Sequence, residues 1–137
     1  MNINLPSSPE QLPPLVLAYV GDAVYELYTR LHLVSKGVTR MHELHHEAVA
    51  CVRASTQAQM VRHLAEMLSE EERGVLRRGR NAKPGHVPRN ADVVEYRYST
   101  GLETLIGYLY LKGERERLDH IFSMLFRLLE QNGDERG

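Results

Sequence analysis

The chain has 137 residues, the length of one domain, and 42% of them are apolar against 26% charged, which excludes wholesale disorder and calls for a single self-sufficient core. Lys plus Arg number 17 and Asp plus Glu 18, a net charge of −1, so no global basicity points to nucleic acid. The lone Cys51 excludes an intrachain disulfide framework and a Cys-built zinc ribbon. It suits a reducing compartment, and the longest uncharged run near the start, residues 11–21, is too short to span a bilayer. A cytoplasmic protein with no membrane association is expected.

Taken in chain order, apolar residues recur at three and four through Leu15, Tyr19, Val20, Ala23, Val24, Leu27, Tyr28 and Leu31. This predicts one long helix, opened by Pro13 and Pro14 and ended by Gly37 after Leu33. A second helical stretch over about 41–68 carries Leu44, Ala48, Val52, Met60, Leu64 and Leu68. Ser69 followed three residues on by Glu72 is a capping-box pattern, starting a short helix that fades at Gly79. Residues 93–111 are helical by period, with Leu102, Leu105, Ile106, Leu109 and Tyr110 as the core stripe. Leu118, Ile121, Phe122, Leu125, Leu128 and Leu129 predict a final amphipathic helix before a polar tail at 131–137. No alternating strand pattern, internal repeat or linker appears, so the expected fold is all-α, a helical bundle in a single domain with its core at about 12–130. The tyrosines at helical spacing read as core or interface rather than base-stacking platforms.

The basic residues are unusual in kind and place, all but Lys36, Lys83 and Lys112 being Arg. From Arg73 to Ala91 the chain reads RGVLRRGRNAKPGHVPRNA, with Arg73, Arg77, Arg78, Arg80, Lys83 and Arg89 and no acid. The planar fork of Arg suits bidentate phosphate contact, and Gly79, Pro84, Gly85 and Pro88 predict a loop with exposed backbone donors. Two readings stand: a phosphate-gripping loop, or a solvated basic loop balancing Glu70, Glu71 and Glu72.

Two acids interrupt apolar helix. Asp22 lies in LVLAYVGDAVYELY directly after Gly21, and a mid-helix Gly costs ~1 kcal/mol relative to Ala. Close helix approach or an uncovered carboxylate would compensate. Glu103 lies in STGLETLIGYLYL with Gly107 one turn on. A buried unpaired carboxylate is costly, so each requires a cation, a donor or a metal. Asp22 and Glu103 on neighbouring helices would share a hard divalent ion such as Mg²⁺; paired instead with Arg30 or Arg97, they would form structural bridges. Residues 42–46, His-Glu-Leu-His-His, formally match H-E-x-x-H, in which His42 and His46 would bind zinc and Glu43 act as base. Neither Glu66 nor His63, the conceivable third ligands, sits in a second motif, so the segment reads as an exposed His-rich helix start.

At these residues AYVGDAVYELYTRLHL (18–33) resembles the first catalytic helix of ribonuclease III enzymes, whose pattern ends in Leu-Gly-Asp-Ala-Val. LETLIGYLYL (102–111) resembles the second, Glu-Ala-Leu-Ile-Gly-Ala-x-Tyr-Leu. With RGRNAK and YRYST between them, the spacing is similar to the compact Mini-III subgroup, which has the catalytic domain alone, and the resemblance runs from about Leu12 to Leu129. It implies an all-helical endonuclease domain that forms a homodimer and sets two Mg²⁺-dependent sites along a valley for double-stranded RNA, with Mn²⁺ an acceptable substitute. Each site is expected to cut one strand, leaving a 5′ phosphate and a 3′ hydroxyl. Asp22 carries over as the catalytic, metal-linked aspartate and Glu103 as the main metal ligand. Arg77, Arg78, Arg80, Asn81, Lys83 and Arg89 become the candidate RNA-binding set. Within the subgroup the expected substrate is the precursor of large-subunit (23S) ribosomal RNA. The alternative is a non-catalytic RNA-binding module on the same fold. Two carboxylates of the larger family are replaced, by Ala18 four residues before Asp22 and by Thr100 three before Glu103, which leaves the metal count open and makes Glu26, on Asp22's helical face, a conceivable substitute.

Overall fold

Pro13 and Pro14 start helix α1 (Pro14–Ser35), with Pro14 in the first turn, where its missing N–H would have had no partner anyway. Its far end closes in a Schellman turn, in which Val38 N–H donates to the Leu33 carbonyl and Gly37 N–H to that of Val34, with Gly37 at φ 90°. The structure, a computed structural model, describes residues 3–83 and 85–136, with side chains to residue 131. Among the described residues there are six α-helices and no strand, the all-α class that the periodicity predicts.

The stretch predicted as one helix over 41–68 is divided. Arg53, extended at ψ 149°, separates α2 (Met41–Val52) from α3 (Ala54–Leu64), and a 3₁₀ turn, Ala65–Met67, follows. Side chains take the carbonyls that the break releases. The Thr56 hydroxyl donates to Ala50 O at 2.8 Å, and the Tyr25 hydroxyl to Cys51 O at 3.2 Å. The bend lets α3 bury Gln57, Ala58, Met60, Val61 and Leu64, whereas α2 buries no residue fully.

Helix α4 (Glu70–Asn81) begins with the expected capping box, Ser69 and Glu72 each bonding the other's backbone N–H. Arg117 clamps the same Glu72 through two 2.8 Å contacts, and that guanidinium holds the carboxyl below its usual range. The helix does not fade at Gly79. That residue is buried, and a side chain there would collide with Thr104 and meet Gly101 at 3.0 Å, so the glycine marks a packing contact with α5. Arg77, Arg78, Arg80 and Asn81 therefore sit on helix, and among the described residues between α4 and the next helix only 82–83 and 85–92 are irregular.

Asp92 caps α5 (Val93–Leu111) by accepting Glu95 N–H at 3.0 Å. α1, α3, α4 and α6 (Arg115–Arg136) pack around it, so it is the central helix. Leu102, Leu105, Ile106 and Leu109 are buried as predicted, while Tyr108 takes the core position expected of Tyr110. α6 buries Leu118, Ile121, Phe122 and Leu125 and continues through most of the segment read as a polar tail. Among the described residues no helix is long and apolar enough to cross a membrane.

Candidate active site

α1 and α5 cross at backbone contact. A side chain on Gly21 would fall on the carbonyl oxygen of Glu103 and 2.8 Å from Gly107 N; one on Gly107 would fall on the carbonyl of Leu17 and 3.0 Å from Gly21 N. Glycine is the residue that permits this, since interiors are packed to van der Waals contact and no Cβ can be accommodated. The close approach puts Asp22, one residue past Gly21, beside Glu103, one turn before Gly107. Asp22 is solvent-exposed and Glu103 is partly buried.

The electrostatics follow from that placement. Burial first, and then the adjacent Asp22 carboxylate, push Glu103 up from 4.5 to about 9, because two carboxylates side by side resist sharing two negative charges. The Ser99 hydroxyl, 3.4 Å from Glu103 Oε1, acts the other way. Ser99 is itself hydrogen-bonded to the buried amide of Gln57. Tyr25, also buried, completes the floor, and burial is the main cause that keeps its hydroxyl protonated beyond the usual range.

A family model described as the ribonuclease III domain matches residues 15–114, which contain both acids and the helix crossing. The chain belongs to the ribonuclease III family. The Mini-ribonuclease 3 of Symbiobacterium thermophilum is 46% identical over 125 residues, covering 91% of this chain and 96% of that one. The Mini-ribonuclease 3 of Desulfitobacterium hafniense is 44% identical over 133 residues, covering 97% and 84%. The crystal structure of protein FN1578 from Fusobacterium nucleatum superposes with a TM-score of 0.79 at 30% identity, covering 88% of this chain and 98% of the other. This ribonuclease is therefore an endoribonuclease of the Mini-ribonuclease 3 kind.

Asp22 and Glu103 are the acids that the crossing brings together. Ala18 is buried and brings no ligand atom, and the Thr100 hydroxyl is spent on the Tyr96 carbonyl at 2.9 Å. Glu26 is held by Arg30 at 2.6 Å, so Arg30 does not bridge Asp22 or Glu103. The ion pairs among the described residues leave both acids without a cationic side chain. Two carboxylates, one of them held protonated mainly by its burial and then by the other, suit a divalent cation of the Mg²⁺ type, which would replace the proton. His42 and His46 lie exposed on α2, and among the described residues they join no group of three metal-ligating side chains.

The basic residues lie elsewhere on the surface. Arg77, Arg78 and Asn81 line a depression with Pro14, Glu71, Gly74 and Ala82. Arg80 stacks over the Tyr98 ring at 5.5 Å, and Lys83 and Arg89 stand exposed in the 82–92 segment. Among the described residues none of these forms an ion pair or hydrogen bond with Asp22 or Glu103.

Sequence reasoning missed Gln57, Ser99 and Tyr25. Gln57 carried a legible signal, since it sits three residues before Met60 and seven before Leu64, on the apolar stripe of its helix. A polar residue at a stripe position is the same anomaly that drew notice to Asp22. Ser99 had no such signal, because small hydroxyls occupy buried helix positions at little cost when they bond locally.

Proposed function

We propose that this ribonuclease hydrolyses double-stranded RNA as a divalent-metal-dependent homodimer in the cytoplasm, with the precursor of large-subunit (23S) ribosomal RNA as its natural substrate. The observation that carries the reading is the glycine-mediated crossing of α1 and α5, which sets Asp22 beside Glu103, where burial first and then the Asp22 carboxylate raise the cost of charging Glu103. Those two carboxylates would hold Mg²⁺, or Mn²⁺ in its place. Such an ion supplies an activated water and neutralises the charge that grows on the phosphate. Hydrolysis forms a bond from water oxygen to phosphorus and breaks the bond to the 3′ oxygen, leaving a 5′ phosphate and a 3′ hydroxyl.

The chain's own residues do the rest. Asp22, exposed at the mouth, faces the arriving backbone, while Glu103 is anchored on the central helix. A-form RNA offers mainly shape, phosphates and 2′-hydroxyls. Arg77, Arg78, Lys83 and Arg89 match that surface with exposed cations, with the half-buried Arg80 and the exposed amide of Asn81 beside them. The dimer reading draws support from apolar side chains that α1 leaves uncovered, Leu15, Val16, Leu27 and above all Tyr19, which is 82% exposed. A second copy laid on this face would place two sites on one duplex.

The test is cleavage of long double-stranded RNA with Mg²⁺ present or chelated, beside folded Asp22→Asn and Glu103→Gln variants. Mg²⁺-dependent cutting lost in both variants supports the reading. Salt-sensitive duplex binding without cutting by the parent would replace it with a non-catalytic RNA-binding module, and a monomer by light scattering at micromolar concentration would remove the two-strand arrangement.

A further inference from the structure

The floor of the site contains a polar pair that none of the acids accounts for. Gln57 on α3 and Ser99 on α5 are both buried, Gln57 at 1% exposure, in an interface otherwise built from Ala58, Met60, Val61 and Leu102. Burying an amide and a hydroxyl in such surroundings costs free energy that their mutual hydrogen bond offsets only in part. An apolar pair of the same volume would pack there without that cost. The pair also reaches Glu103, whose Oε1 lies 3.4 Å from Ser99 Oγ.

Ser99 and Glu103 are one turn apart on the same helix, so helix geometry brings hydroxyl and carboxylate within reach of each other. Gln57 comes from a different helix and decides which way the hydroxyl points. A serine hydroxyl has one hydrogen, so it serves either the Gln57 carbonyl oxygen or Glu103. In the structure the Ser99 hydroxyl donates to Gln57 Oε1; exchanging the amide's O and N, which are equivalent in shape, lets its N–H donate to Ser99 Oγ and frees the Ser99 hydrogen for Glu103 Oε1. The chain then runs in one direction, from Gln57 through Ser99 to the carboxylate.

We infer that Gln57 and Ser99 are positioning residues, a two-member relay that holds the Glu103 carboxylate in the orientation needed to bind the divalent ion. The inference rests on the metal-dependent reading proposed above. Neither residue is a ligand. Their role is to remove rotational freedom from a glutamate whose carboxylate must meet Asp22 around one ion, a task for which outer hydrogen bonds are well suited.

The experiment is a titration of the full chain with Mn²⁺ alone, without RNA, following the free ion by electron paramagnetic resonance. Ser99→Ala should weaken Mn²⁺ binding about tenfold, and Gln57→Met by a smaller factor. The double variant should bind no more weakly than Ser99→Ala, since Gln57 acts only through the hydroxyl. In the cleavage assay, saturating metal should restore kcat of Ser99→Ala with KM for RNA unchanged. Parental Mn²⁺ affinity in Ser99→Ala, or a Gln57→Met loss that adds in full to it, would overturn the relay. Gln57→Met keeps the volume and removes only the amide, so if Ser99→Ala fails to fold, parental affinity in Gln57→Met alone overturns it. A parent that binds no Mn²⁺ sinks the metal reading and the relay together; a parent that binds, with variants that bind equally, sinks the relay alone.

Discussion

The crossing of α1 with α5 and the basic end of α4 are built on opposite principles. At the crossing two backbones touch, and the acids follow from which residues flank the glycines. Arg77, Arg78, Lys83 and Arg89 stand toward solvent, and Arg80, half-buried, is stacked on the ring of Tyr98. Chemistry on a phosphate needs ligand atoms fixed to a fraction of an ångström, which the core supplies. Gripping an A-form backbone needs charge at the right spacing with freedom to adjust, which a surface supplies.

If the crossing is the rigid member of that contrast, Gly107→Ala or Gly21→Ala should have the largest effect of any single substitution. The colliding atoms are backbone, so no rotamer change relieves them, and we expect a loss of ~3 kcal/mol or more, at the upper end for overpacked cores. Urea titration measures it. A variant as stable as the parent would mean that the helices separate easily and that the acids are not held by the crossing.

The second effect is smaller and opposite in sign. With its pKa raised from 4.5 to about 9, Glu103 carries a proton in the folded chain that the unfolded chain releases. Its contribution to stability is full below pH ~4.5 and is lost progressively as pH rises toward 9. In chelator at neutral pH, the neutral isostere Glu103→Gln should therefore be more stable than the parent by roughly 1–2 kcal/mol, in line with other substitutions that relieve an active-site conflict. The gap should close near pH 4.5. Adding Mg²⁺ should narrow or reverse it, because only the parent gains binding free energy. Thermal melts at several pH values, with and without metal, check all three.

The two regions were unequally legible in the sequence. Asp22 and Glu103 stood out because each breaks an apolar run beside a glycine, and the same glycines announce the close approach. Gly79 on α4 is less legible. Gly79 lies among Arg residues and Pro-Gly signals, so local chemistry suggested a stop, whereas its missing side chain makes room for Thr104 and Gly101 of α5. Likewise no residue near Arg53 signals that a helix must break there; the break is compensated by Thr56 and Tyr25, one of them from another helix. Local propensity sees neither kind of tertiary interaction.

A third expected effect addresses the surface member. Neutralising Arg78 and Arg80 together should leave stability near that of the parent while weakening RNA binding. The slope of log affinity against log salt should flatten by about 0.7–0.9 for each phosphate that the variant no longer neutralises. Because Arg80 also stacks on Tyr98, Arg80→Lys should recover part of the charge but not the stacked fork. An unchanged salt slope would place the RNA grip elsewhere.

The smallest effect decides whether the site has a third acid. Glu26 lies one turn beyond Asp22 on α1, on the helix face from which an acid could replace the missing family carboxylates. Its carboxylate is engaged by Arg30 at 2.6 Å, with Arg30 largely exposed and Glu26 partly so, and it is not among the groups that perturb Glu103, whereas Asp22 is. An exposed i,i+4 pair contributes at most ~0.5 kcal/mol. Glu26→Gln should therefore shift stability by no more than that and leave the Mg²⁺ dependence of cleavage unchanged. A several-fold rise in the Mg²⁺ concentration needed for half-maximal cleavage would show that Glu26 leaves Arg30 when the ion binds. The core would then no longer hold the whole catalytic set, and the contrast between the two regions would weaken.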